Sequence, residues 1–189
     1  MRLLGSSSRV AYWVAAPAAA LVAPAPAFAV DYVTVDEAQA LAFPEAERFE
    51  LATLSLEPAE RSALASRLGV AVRARWEVRL ARRANALLGT LVVDDVTGKF
   101  ERITFAVAVG VDGVVRRVEI LSYRESHGQE VRLPAWRGQF VGKTAAAKLE
   151  VGADMSNISG ATLSCRHMTA GVRRIVTVLE ALRRQGALR

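Results

Sequence analysis

The sequence predicts an α+β fold: one antiparallel sheet built as a meander, with helices before it and an amphipathic helix after it, packed on one face. Three observations carry this. Val72, Ala74, Trp76, Val78 and Leu80 alternate with Arg73, Arg75, Glu77, Arg79 and Ala81, the period of a half-buried strand. Asp112-Gly113 lies between two further apolar runs and marks a tight hairpin. Met168, Val172, Ile175, Val176, Leu179 and Leu182 then fall at helical spacing, with Arg173, Arg174, Glu180, Arg183 and Arg184 on the opposite face.

The elements follow in order. Residues 1–29 stand apart, with Arg2 and Arg9 at the start, an apolar stretch from Ala11 to Ala23, and Ala27 and Ala29 as the small residues of a cleavage signature. This is the layout of a secretory signal peptide cleaved after Ala29. Pro17, Pro24 and Pro26 break the run, which falls short of the ~20 apolar residues of a comfortable membrane span. The expectation is an exported protein, in the periplasm or on the outer face of the cytoplasmic membrane. Residues 30–84 should hold the N-terminal helices and the first strand, forming one compact domain with residues 85–189. Thr34-Val35-Asp36-Glu37 reads as a capping box, so a short helix follows and stops before Pro44. A second helix fits Pro58 to Leu68, with Pro58 in its first turn and Gly69 at its C-terminal cap. Strands follow at Leu87–Asp94, Arg102–Gly110 and Val114–Tyr123, the first two joined by the Thr97-Gly98-Lys99 turn. Residues 124–167 are glycine-rich and loop-like, with a short helix within Leu133–Lys148.

Composition narrows the function classes. The chain has 189 residues, 52% of them hydrophobic, and a net charge of +6. Removing residues 1–29 takes away two Arg and no acid, so the charge falls from +6 to +4 by subtraction. The Arg residues are dispersed, without the basic and aromatic stripe of a nucleic-acid binder, so no nucleic-acid partner is expected. A basic surface does suit an acidic redox partner or an anionic membrane. Cys165 is the single cysteine, which excludes an internal disulfide and a cysteine metal site. Only His127 and His167 are present, and no metal site is expected. A serine hydrolase has no G-x-S-x-G elbow to rest on.

The informative stretch is Asn157-Ile158-Ser159-Gly160-Ala161-Thr162-Leu163-Ser164-Cys165, just ahead of the last helix. A loop entering a helix N-terminus offers free amides and the positive dipole end, which favour a phosphate. Gly160 allows a close backbone approach. Taken alone, Ser, Thr and Gly before a helix are more often a plain cap.

Ser159-Gly160-Ala161-Thr162, with Ser164 after it, resembles the S/T-G-A-T motif of FMN-binding domains. Among these are the flavin subunits of Rnf and Na⁺-translocating NADH:quinone reductase complexes and small exported flavoproteins. Two further stretches agree in order and spacing: Tyr123-Arg124-Glu125-Ser126-His127-Gly128, and Trp136-Arg137-Gly138-Gln139-Phe140-Val141-Gly142-Lys143. The resemblance covers about residues 85–180. It implies FMN joined by a phosphoester to Thr162, attached by an FAD-dependent flavinyl transferase. It also implies cofactor contacts from Ser159, Gly160, Ala161, Ser164, Glu125, Ser126, His127, Gly128, Gln139 and Phe140, with no catalytic residue. Thr162 is then an attachment point and not a nucleophile that turns over. Phe140 also reads as core, Trp136 as a flavin neighbour, and Lys143 as a phosphate contact or an exposed cation. The family usually has Asp three residues before the motif, where this chain has Ser156; the nearest acid is Asp154. Ser126-His127 stands where the complex subunits commonly have Thr-Pro, so exported single-domain relatives are the closer comparison. The implied function is envelope electron transfer with a redox partner still unknown, as a carrier or complex component more than a stand-alone enzyme. The alternative is a flavin-free or loosely flavin-binding assembly module of an envelope redox system.

Overall fold

The computed structural model describes residues 30–31, 33–125 and 128–188. The signal peptide expected over residues 1–29 and the contacts expected of Ser126 and His127 lie outside the described residues. The α+β fold is as the sequence predicts: a six-stranded antiparallel sheet with helices against it. In chain order the elements are β1 (Val30–Asp31), α1 (Val35–Ala42), β2 (Arg48–Ser55), α2 (Pro58–Leu68), β3 (Arg75–Arg83), β4 (Ala86–Thr97), β5 (Arg102–Gly110), β6 (Val115–Tyr123), α3 (Pro134–Arg137) and α4 (Thr162–Arg184). Two short 3-10 turns, Gln129–Arg132 and Gly138–Phe140, flank α3. Strands β2 to β6 form the meander, and β1 returns to pair with β6 at the far edge.

The cap chemistry sets the early helix ends. Thr34 Oγ1 accepts from the Glu37 amide at 3.2 Å, and Glu37 Oε2 accepts from the Thr34 amide at 2.8 Å. Gly69 ends α2 at φ 69°, where a side chain would be strained.

The helices do not share one face, and the one-face expectation is corrected here. Helices α2 and α4 cover one side, where Leu64, Met168, Val172, Ile175 and Leu182 meet Trp76, Val78, Val92, Ile103, Phe105 and Val107. Helix α1 covers the other, where Ala38, Ala42 and Phe43 meet Ala81, Leu91, Ala106, Ala108 and Leu121. Strand β5 supplies large residues to the first side and alanines to the second, so both sides of its pleat are buried. The alanines let the short α1 lie close. A Cβ at Gly89 would overlap Val109 O and the Phe43 ring.

Strand β2 is an addition to the sequence reading. It lies at an edge with one face open, so its alternation is weak: Leu51 is 64% exposed. Among the described residues no helix is long and apolar enough to cross a membrane.

Candidate functional site

Helix α4 begins at Thr162, upstream of Met168 where apolar spacing first becomes visible. Ser164 and Cys165 are buried in that first turn but too short and polar to register as an apolar stripe. Ala161 occupies the cap position and makes no side-chain cap bond. The first intrahelical bond runs from the Cys165 amide to Ala161 O, 2.9 Å. The amides of Thr162, Leu163 and Ser164 therefore have no partner within the helix. They point out of the positive end of a 23-residue helix. Asn157 Nδ2 donates to Thr162 Oγ1 at 3.1 Å, which orients the half-buried hydroxyl.

A cleft of about 490 Å³ opens over this helix start, lined by Lys99, Phe100, Glu125, Gly160, Ala161, Thr162, Leu163 and Ser164. That volume lies in the range of roughly 300–1,000 Å³ usual for small-molecule sites. Gly160 has φ 85° and no atom within 4 Å of where a Cβ would sit, so its backbone borders open space.

The three sequence stretches converge here. In the first, Glu125 is buried, and its Oε1 accepts from the amides of Phe100 at 2.6 Å and Glu101 at 3.0 Å. Gly128 lies against the motif: a Cβ there would sit 3.0 Å from Ala161 Cβ and 3.1 Å from the Tyr123 hydroxyl. Tyr123 also shares a hydrogen bond with Ser164. In the second stretch, Trp136 Nε1 donates to Ser156 O at 2.8 Å, and Gln139 Oε1 accepts from the Ser156 amide at 2.8 Å. Both backbone groups of Ser156 are thus fixed just ahead of the motif. Arg137 holds this stretch to the sheet, donating to Val118 O at 2.8 Å and pairing with buried Glu119.

Of the residues singled out from sequence, Glu125, Gly160, Ala161, Thr162 and Ser164 line the cleft. Gly128, Gln139 and Phe140 stand behind it. Phe140 is fully buried and meets Trp136 edge-on at 5.2 Å, so both are core. Ser159 is exposed in the turn closed by the Ala161 amide and Ile158 O, 3.0 Å. Lys143 does not line the cleft; its ammonium pairs with Asp154 Oδ2 at 2.9 Å. Asp154 also accepts from the amides of Leu149 and Glu150. Desolvation pushes its carboxyl up, but the Glu150 amide, Lys143 and the Leu149 amide outweigh this and hold it below its ordinary value. Asp154 is therefore a local brace and does not line the cleft in place of the Asp missing at Ser156.

Sequence reasoning missed Lys99, Phe100 and Leu163. The available signal was Phe100 itself, an aromatic in an otherwise polar turn. No group of three or more metal-ligating side chains occurs among the described residues.

This helix start, with amides that lack an intrahelical partner, an anchored hydroxyl and a cleft, is suited to a phosphate-bearing ligand. Residues 98–177 match the family model described as the FMN-binding domain. The resemblance read from the three stretches holds across that segment, and the cofactor it names is FMN. The crystal structure of NqrC from Shewanella oneidensis is similar at a TM-score of 0.49 and 16% identity, over 83% of this chain and 81% of that one. No curated protein matches the chain.

Proposed function

We propose that this protein is an exported electron-transfer flavoprotein carrying FMN in a phosphoester to Thr162. The observation that carries the reading is the hydroxyl of Thr162, oriented by Asn157 at the first position of a long helix whose first-turn amides have no intrahelical partner. These residues fit the group. A phosphate on Oγ1 would meet the positive end of α4, and the amides of Leu163 and Ser164 can donate to it. When bound, FMN exchanges one or two electrons and so links hydride donors to one-electron carriers.

Each part of the chain then has a task. Trp136 and Gln139 hold Ser156, which fixes the approach to the motif. Glu125 holds the turn on the opposite wall. With FAD as donor, the Thr162 hydroxyl gives up its proton and becomes the ester oxygen, while AMP leaves. Export rests on residues 1–29, and a covalent bond keeps the cofactor from being lost outside the cytoplasm. The net charge of +4 that remains suits an acidic redox partner in the envelope or at the membrane.

The test is the intact mass of the exported protein made beside an active flavinyl transferase. The expected species lacks residues 1–29 and carries the mass of FMN less one water. Thr162→Ala should lose that added mass and the yellow colour after acid precipitation. Wild-type protein that stays colourless beside the active enzyme would instead favour the flavin-free assembly module.

A further inference from the structure

The fold gives no packing role to Phe100. Its side chain is 74% exposed, at the tip of the turn between β4 and β5. Yet that turn is firmly held. Glu125 Oε1 accepts from the amides of Phe100 and Glu101. A Cβ on Gly98 would overlap the same carboxylate. On the other side His167 Nδ1 lies 2.5 Å from Thr97 O and 3.1 Å from Gly98 O. A carbonyl only accepts, so Nδ1 carries the hydrogen. Two side chains from two different elements thus fix a turn whose tip is an aromatic left in solvent.

Single exposed apolar residues are common and need no explanation. Phe100 differs in its surroundings. It lines the same cleft as Thr162, together with Leu163, itself 42% exposed. The Lys99 ammonium lies 4.8 Å from the Phe100 ring centroid and lines the cleft too. The cleft therefore combines two chemistries. Amides and a hydroxyl lie at the helix start, with the apolar side chains of Leu163 beside them and Phe100 on the turn. The Lys99 cation is next to Phe100, and the Glu125 carboxylate is occupied by the turn amides. A ligand matching both has a phosphate for the amides and a flat aromatic system for the apolar side chains.

We infer that Phe100 and Leu163 form the seat of the isoalloxazine ring, with Lys99 as the cation beside it. This rests on the attachment of FMN at Thr162. The ring packs against the exposed Phe100 side chain in an offset or edge-on arrangement. Glu125 and His167 act as positioning residues, holding the turn that presents Phe100.

The experiment uses flavinylated full-length protein with Phe100→Trp, Phe100→Ala or Leu51→Trp, each checked for FMN by intact mass. Tryptophan in contact with a flavin quenches its fluorescence by donating an electron to the excited ring. Loaded Phe100→Trp should lose most of its flavin fluorescence, while Leu51→Trp, at an exposed position on β2, should keep it. Loaded Phe100→Ala should show weakened flavin circular dichroism in the visible, because the ring has lost its wall. Loaded Phe100→Trp that is no dimmer than Leu51→Trp, or loaded Phe100→Ala with unchanged visible dichroism, overturns the seat alone. Wild-type protein without the FMN mass overturns the attachment and the seat together.

Discussion

Glu125 and Tyr123 carry the residue-scale consequences. Both come from the end of β6 and both are buried behind the cleft. Glu125 accepts from two turn amides, so Glu125→Ala leaves those donors without it. Loss of about 1–3 kcal/mol is expected, read as a lower urea midpoint. Glu125→Gln keeps an oxygen in place and should lose clearly less. Tyr123 has its phenol pushed up, first by burial, against the Ser164 hydrogen bond, and further by Glu125 and Glu130. Burial likewise pushes up the Cys165 thiol. A pKa raised on folding means the neutral form is favoured in the fold. The stability this represents is full below the ordinary values of 9.0 and 10.0 and is lost as pH climbs through the folded ones. Urea midpoints should therefore fall in alkali, and Tyr123→Phe with Cys165→Ala should flatten that fall. A midpoint that declines equally in the double variant would contradict it. At this scale the sequence was legible where a motif had a fixed spacing: Thr162, Gly160 and Glu125 could be named in advance. Phe100 offered only its type as a signal, an aromatic in a polar turn, which acquires meaning only from the cleft beside it.

At the scale of elements, α4 must lie at one height on the sheet for Thr162 to reach the cleft. Gly171 sets that height. A Cβ there would come within 2.7 Å of Phe105 Cζ and 3.0 Å of Val96 Cγ1. Gly171→Ala gains roughly 1 kcal/mol of helix propensity. Overpacking of a buried contact costs about 1–3 kcal/mol, and rigid ring atoms place this site at the upper end. Net destabilisation is expected, as a lowered Tm, with Phe105→Leu in the same chain restoring most of it. A Gly171→Ala protein more stable than wild type would show that the helix rises freely. The element pattern also explains which parts of the fold the sequence revealed. Strand β5 and helix α2 run over the residues expected, because a turn glycine or a proline ends each cleanly. Strand β2 went unseen because its outer face meets water. The position of α1 was written in β5, whose alanines alternate with Ile103, Phe105, Val107 and Val109, but small residues on a strand do not by themselves say what covers them.

For the whole molecule the question is whether residues 30–84 belong to the same folding unit as the segment that matches the FMN-binding family. The main core argues that they do. Leu56, Leu64, Val72, Trp76, Val78 and Leu80 from the first part pack in one cluster with β4, β5, β6 and α4. Strand β3 is hydrogen-bonded to β4, and buried Asp94 on β4 pairs with both Arg73 and Arg174, joining the first part to α4 through one carboxylate. Removing residues 30–84 would expose the inner face of α4 and one edge of β4, and would leave Asp94 without one of its two cations. Folding should then be all-or-none for the chain that follows residue 29. Nature has placed one tryptophan in each part, Trp76 and Trp136, both buried. In Trp76→Phe only Trp136 reports, and in Trp136→Phe only Trp76 does, once residues 1–29 with Trp13 are gone. Each substitution shifts its own midpoint, so each single-tryptophan protein is compared with its own far-ultraviolet dichroism. In both, fluorescence and dichroism should give one midpoint and one slope, because each tryptophan sits in the cluster the other part completes. Trp76 fluorescence changing at lower urea than the dichroism of the same protein would mean that β2, β3 and α2 peel away first. The helix bearing Thr162 would then stand on a smaller core of its own.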